Sequence, residues 1–184
     1  MTTWTFEPGH TAAEFRVKHM MVTWVRGHFK NIRGKLQFDP HNPAAGSVEV
    51  EIDAAGVWSG ESTRDDHLRG PDFLDTLHYP RIVFKSRRVQ GAGKDKFDVI
   101  GDLTIRDITK EVIWNTEYLG QWETSWWEDG VNKGPKTRAG FTATTKINRQ
   151  DFKVSWNDII DKGGVVVGDD VFITLDAEAI RDST

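Results

Sequence analysis

The sequence predicts an all-β fold, an antiparallel barrel or a sandwich. Three observations carry that prediction. Apolar and polar residues alternate with a period of two through most of the chain, as half-buried strands require. Turn-forming clusters punctuate the alternation: Asp39-Pro40-His41-Asn42-Pro43, Gln90-Gly91-Ala92-Gly93, Glu128-Asp129-Gly130 and Lys162-Gly163-Gly164. Long helical periodicity is missing, which argues against alternating strand and helix units.

Taken in order, strands are expected at residues 5–6, 14–19, 32–38, 48–53, 82–88, 96–105, 111–119, 141–147 and 171–178. Alternation puts Phe15, Val17 and His19 on one face of the second. It does the same for Val48, Val50 and Ile52, for Val99, Gly101, Leu103 and Ile105, and for Val112 and Trp114. Gly34 marks a bend in its strand, since an interior glycine often sits at a bulge or barrel corner. The exception is residues 62–77. Ser62-Thr63-Arg64-Asp65 reads as a capping box with aspartate in place of glutamate. Gly70-Pro71 stops that helix and Asp72 can cap another, so two short helices are expected, with Leu68, Phe73 and Leu74 toward the core. Residues 121–136, which hold Trp122, Trp126 and Trp127, read as a loop. The pair Asp169-Asp170 reads as part of a hairpin turn.

The chain has 184 residues, enough for one domain with a sizeable core or an enclosed cavity. No apolar run approaches the ~18 residues of a membrane-crossing helix. The net charge is −4 and Arg87-Arg88 is the sole adjacent pair of basic residues, so the footprint of a nucleic-acid binder is missing. There are no cysteines, which excludes disulfides and thiolate chemistry. The N-terminal residues lack a basic and an apolar region, so the expected location is cytoplasmic. Eight tryptophans and ten phenylalanines against two tyrosines supply large apolar groups, for core packing or for lining a cavity.

Catalytic signals are sparse. Neither a HExxH helix nor a GxSxG elbow is present. His19 and His28 could meet across a hairpin, with Asp65 or Asp66 as an acidic partner; this is the enzyme alternative, an acid/base or metal-assisted reaction on a small amphiphile. Arg64, Asp65, His67 and Arg69 form a mixed cluster, in which Arg64 and Asp65 read first as ties between helix and strands. Arg64 also has the guanidinium fork that suits an anionic head group.

The order of motifs resembles the YceI-like family. The resemblance runs from Trp4 and Pro8-Gly9-His10 through Phe15-Arg16-Val17-Lys18-His19 and Val25-Arg26-Gly27-His28-Phe29. Its most specific part is Arg64-Asp65-Asp66-His67-Leu68 with Asp72-Phe73 and Tyr79-Pro80-Arg81. Gly101-Asp102-Leu103-Thr104-Ile105 with Thr109-Lys110, and Ile147-Asn148-Arg149-Gln150-Asp151-Phe152, complete it. Two departures stand out: Asp107 where the pattern has glycine after Arg106, and a longer, more aromatic segment at residues 121–136.

That resemblance implies a single lipocalin-like antiparallel barrel over residues 1–184, of about eight strands, with one or two short helices near residues 62–77. It implies a ligand rather than a cofactor: an isoprenoid, an isoprenoid quinone or a similar long-chain lipid, carried or stored in the interior. Members of the family are not established enzymes, and many are periplasmic. The expected lining is Phe15, Val17, His19, Val50, Ile52, Leu103, Ile105 and Trp114, with His19 and Arg64 toward the head group. No catalytic or metal-ligating residues are assigned. Beyond the lipid, the expected partners are a second copy in a homodimer and a membrane touched transiently by the tryptophan-rich segment. A filled barrel serving as a non-binding dimeric interaction module is the remaining alternative.

Overall fold

The computed structural model describes residues 1–160 and 164–182; Lys162 and Gly163 of the expected turn lie outside them. Twelve strands are described: β1 (Thr2–Phe6), β2 (Ala12–His19), β3 (Thr23–Phe29), β4 (Arg33–Phe38), β5 (Ser47–Asp53), β6 (Arg81–Gly93), β7 (Lys96–Ile105), β8 (Ile108–Glu128), β9 (Val131–Asn148), β10 (Ile159–Ile160), β11 (Gly164–Val165) and β12 (Val167–Arg181). One helix, α1 (Ser62–Arg69), sits between β5 and β6.

Eight strands close on themselves in the order β1-β4-β5-β6-β7-β8-β9-β12, the ring being sealed by antiparallel pairing of β1 with β12 (Trp4 opposite Arg181, Phe6 opposite Ala179). This is the closed antiparallel barrel that the resemblance implies, chosen over the sandwich that the strand pattern also allows. β12 serves two neighbours. Its C-terminal end pairs with β1, while Val167 to Asp176 pair with β2, which carries β3 on its far side. The free side of β3 is caught by one backbone bridge, His28 to Trp58 in both directions (2.8 and 3.0 Å).

Antiparallel pairing fixes two ends. The turns β4–β5, β6–β7 and β8–β9 lie at the upper end. The β2–β3 and β7–β8 turns, the β5–α1–β6 connection and the β9–β12 crossover lie at the lower end. An aromatic cluster of Phe38, Phe97, Tyr118 and Phe141 packs toward the upper end, with ring centroids 4.9–6.1 Å apart. Burial raises the pKa of the Tyr118 phenol, with the nearby Asp95 charge adding to it, so it stays neutral.

Irregular chain covers the lower end, and arginines supply the donors that no strand partner gives its carbonyls. Arg69 donates to the carbonyls of Ala55 (2.8 Å) and Val57 (2.9 Å). Arg106, in the tight turn before β8, takes the left-handed φ of +58° and reaches the carbonyls of Phe73 (3.3 Å) and Lys153 (2.9 Å). The turn that departs from the family pattern at Asp107 thus presents the arginine before it as a clasp.

Several expectations are corrected. The segment after Asp72 forms no second helix: its backbone closes as turns, Phe73 N–H to Gly70 C=O (3.1 Å) and Leu74 N–H to Leu68 C=O (3.0 Å). Residues 121–136 are no loop but the outer part of β8 and β9, a hairpin turning at Asp129-Gly130. Asp169 and Asp170 stand within β12 on opposite faces, the first toward Arg149 (3.3 Å) and the second bound to Lys146 (3.1 Å). β6 runs on to Gly93, so its turn is Lys94-Asp95. β4 pairs with β5 without a bulge at Gly34; the glycine is needed because a Cβ there would strike the Phe6 ring.

The cap of α1 also differs. Glu61, not Ser62, is the N-cap, its carboxylate accepting from the N–H groups of Arg64 (2.6 Å) and Thr63 (3.1 Å). Asp65 is buried and turns back to the Ser59 N–H and hydroxyl. Those bonds to Glu61, that from Arg64 first, hold its pKa below the usual carboxylate value. A carboxylate whose folded pKa is depressed contributes stability above its ordinary pKa and loses it as pH falls through the folded pKa. Glu61→Gln is therefore expected to unfold at lower temperature than the parent at neutral pH. The gap should close in acid, below the carboxylate range; calorimetry across that range checks it, and a gap independent of pH would refute the cap.

Candidate functional site

The alternation within each strand decides what faces inward, and closure makes those faces one lining. The barrel encloses a cavity of about 260 Å³. An apolar cavity of about 150 Å³ already takes up benzene, so there is room here for more than one small ring. Every strand of the barrel gives apolar residues to the wall, from Phe6 alone on β1 and Trp114 alone on β8 to Val48, Val50 and Ile52 on β5 and Val171, Ile173 and Leu175 on β12. From below, Leu68 of α1 and Phe73, Leu74, Phe152 and Val154 close it.

Of the expected site residues, Phe15, Val17, Val50, Ile52, Leu103, Ile105 and Trp114 line this cavity. His19 and Arg64 do not. His19 ends β2 opposite Thr23 at the lower rim. Arg64 spends its guanidinium on Ser59, donating to the hydroxyl (2.7 Å) and the carbonyl (2.8 Å); its role is structural, but it ties the helix to the segment just before it and not to a strand as expected. His19 and His28 do not meet either. His28 stands opposite Glu14, six rungs from the turn, with its ring against Trp58 at 4.6 Å. Among the described residues no group of three His, Asp or Glu is placed to hold a metal ion.

Three small residues of the strands, Gly101, Ala143 and Thr145, play different parts. Ala143 faces the cavity. Gly101 instead admits backbone: a Cβ there would collide with the Lys85 carbonyl and Ser86 Cα, where β6 bulges between Ser86 and Arg88. Thr145 donates its hydroxyl to the Ile113 carbonyl (2.8 Å) and lies outside the lining.

Polar groups on the wall are few: Glu14, Gln37, Ser47, Thr116 and Arg149. Arg149 is a charge at 4% exposure. Burial lowers its pKa and Asp169 opposes the shift. Its guanidinium donates four hydrogen bonds, to Gly168 C=O (2.8 Å), Val154 C=O (2.6 Å), Trp156 C=O (2.9 Å) and Val167 C=O (3.0 Å), and the Asp169 carboxylate lies 3.3 Å from Nη2 as an ion pair. It holds the β9–β12 crossover together. Gln37 and Ser47 are exposed, beside Pro43 and Gly46, so the cavity meets solvent at the upper rim. Outside Glu14, Thr116 and Arg149 the wall offers dispersion and apolar burial, with the neutral polar groups Gln37 and Ser47 at one opening. A nucleophile paired with a base is not assembled on it.

Sequence reasoning missed much of the wall. Phe73 and Leu74 were placed toward the core, and the odd-numbered apolar face of β12 was visible, but Phe38, Phe97 and Phe141 come together only through the register of distant strands.

Comparison with known proteins points one way. The model of the YceI-like domain matches residues 4–179. Protein YceI of Escherichia coli O157:H7 is 39% identical over 148 residues, 80% of this chain and 73% of the relative. A UPF0312 protein of Vibrio cholerae is 34% identical over 145 residues, covering 79% and 72%. Among solved structures, Burkholderia cenocepacia BcnA matches with a TM-score of 0.75 at 25% identity, over 94% of this chain and 98% of that one. The Campylobacter jejuni YCEI protein matches at 0.72 with 28% identity, over 91% and 90%. A polyisoprenoid binding domain from Saccharophagus degradans matches at 0.70 over 99% and 100%, but at 11% identity that is a likeness of fold alone.

Proposed function

Because the chain belongs to the YceI-like family, we propose that its barrel takes up the tail of an isoprenoid or similar long-chain amphiphile. The observation that carries this is the cavity wall, predominantly apolar from α1 to the upper rim, with its one buried cation hydrogen-bonded to four backbone carbonyls. Burying tail carbon there contributes about 0.8 kcal/mol per CH₂ before the costs of ordering. The groups at the opening, Gln37 and Ser47, favour a neutral polar end, such as a quinone or an alcohol, over a diphosphate, which would call for Arg or Lys. Phe15, Val17, Val50, Ile52, Leu103, Ile105 and Trp114 would contact the tail. The protein is a binder on this reading, and the separation of His19 from His28 weighs against the acid/base alternative.

Native mass spectrometry of freshly purified protein tests it, followed by solvent extraction of whatever is bound. The expected result is a near-stoichiometric lipid of isoprenoid character, lost on extraction and regained on titration. Fresh protein free of lipid, and no uptake by the extracted protein, would overturn the proposal.

A further inference from the structure

The turn between β2 and β3 is built from residues that suit neither its backbone nor water. It is closed by the Val22 N–H to the His19 carbonyl (3.1 Å), and its two central residues both lie in the left-handed region, Met20 at φ +48° and Met21 at φ +59°. That is the φ pattern of a type I′ turn, which favours Asn-Gly and strains residues with ordinary side chains. Yet the tip carries apolar side chains into solvent: Met20 is 41% exposed, Met21 54% and Val22 82%. The neighbouring β10–β11 hairpin adds Ile159, 82% exposed, next to the Asp158 and Val166 backbone that supports Met20.

The outer face of the same hairpin is cationic. Arg16 and Arg26 stand directly opposite each other, an arrangement that like charges disfavour. Among the described residues no carboxylate lies within 4.0 Å of Arg16, Lys18 or Arg26 to relieve it. Lys18 and Arg16 rest instead on the Trp24 ring, 4.5 and 4.9 Å from its centre. From Ala12 to Phe29 the hairpin holds Arg16, Lys18 and Arg26 against Glu14, in a chain of net charge −4. An apolar tip backed by a half-buried tryptophan and unneutralised cations matches the layers of an anionic bilayer surface: hydrocarbon, interface, phosphate.

We propose that the β2–β3 hairpin docks the protein on anionic membrane, the Met20-Met21-Val22 tip entering the interface while Arg16, Lys18 and Arg26 meet the lipid phosphates. The occupant of the cavity does not enter this proposal, so it stands or falls apart from the lipid-binding one.

Flotation with vesicles tests it, equimolar phosphatidylcholine and phosphatidylglycerol against phosphatidylcholine alone. The protein is expected to float with the anionic vesicles and not with the neutral ones. Arg16→Gln and Arg26→Gln should each weaken binding about five-fold. The discriminating variant is Met20→Asn with Met21→Gly, which gives the turn its preferred residues: its unfolding temperature should rise while vesicle binding falls. Trp122→Ser, on the β8–β9 hairpin, should bind like the parent. The proposal is overturned if the parent stays with the pellet of unbound protein, if neutral vesicles bind it equally, or if Trp122→Ser rather than the turn variant loses binding. It is also overturned if light scattering shows the turn variant losing a dimer in place of a vesicle complex.

Discussion

Arg149→Leu is expected to destabilise the protein by about 3–5 kcal/mol, since a buried acceptor left without its donor costs about 1–3 kcal/mol and several are left here. Folded domains are typically stable by about 5–15 kcal/mol, so this single change removes a large part of the total. The cause lies in the carbonyls left behind. Those of Val154, Trp156, Val167 and Gly168 all accept from this guanidinium, and leucine gives them nothing. Asp169 is half exposed and can turn to water, so it adds little to the loss. Arg149→Lys should recover less than half, because an ammonium has three donors and no planar fork to span four carbonyls and a carboxylate. Urea unfolding of the three proteins measures it. A leucine variant within about 1 kcal/mol of the parent would show that the crossover is held by something else.

Filling the cavity should separate binding from folding. Ala143 faces inward from β9, and Ala143→Leu places three more carbons where a ligand tail would lie. At about 0.8 kcal/mol per displaced methylene, affinity for a fluorescent fatty-acid probe should fall by roughly fifty-fold. Val171→Leu, on the wall of β12, adds one carbon and should cost about four-fold. Neither variant should unfold at lower temperature, since the added carbon goes into empty space. Overpacking, which costs about 1–3 kcal/mol, would appear as a lower unfolding temperature, and the milder Val171 variant then carries the comparison. Both variants folded and binding the probe as the parent does would place the tail outside the barrel.

How far the site was legible from sequence follows from what kind of pattern encodes each part. Local alternation was enough for Phe15 and Val17, for Val50 and Ile52, and for Leu103 and Ile105, because a period of two puts alternate residues on one face wherever a strand forms. It failed where the chain leaves the strand. Arg64 reads first as a tie from helix to strand, and only folding shows that its partner is Ser59, just before the helix. Arg149 sits in the polar run Asn148-Arg149-Gln150-Asp151 and reads as surface, yet the crossover wraps around it. The outer part of β8 and β9 was hidden for another reason. Its ladder is broken by two register shifts, between Tyr118 and Gly120 and between Ser125 and Trp127, and each shift resets the alternation that would have revealed a strand. The Met20-Met21 turn gave no signal at all, since its φ values contradict the residues that carry it.

The seal between β1 and β12 sets the order in which the molecule can assemble. Trp4 meets Arg181, Phe6 meets Ala179, and Asp182 donates its N–H to Thr3 (3.0 Å), so the last rungs join residues almost a whole chain apart. On a ribosome, β1 has no β12 to pair with until every strand between them has emerged, and its other neighbour, β4, emerges only after β2 and β3. β12 is the last strand of the ring to emerge, and its pairing with β1 closes the longest loop of any pairing in the barrel. The slowest step in folding is then expected to be the meeting of β1 and β12.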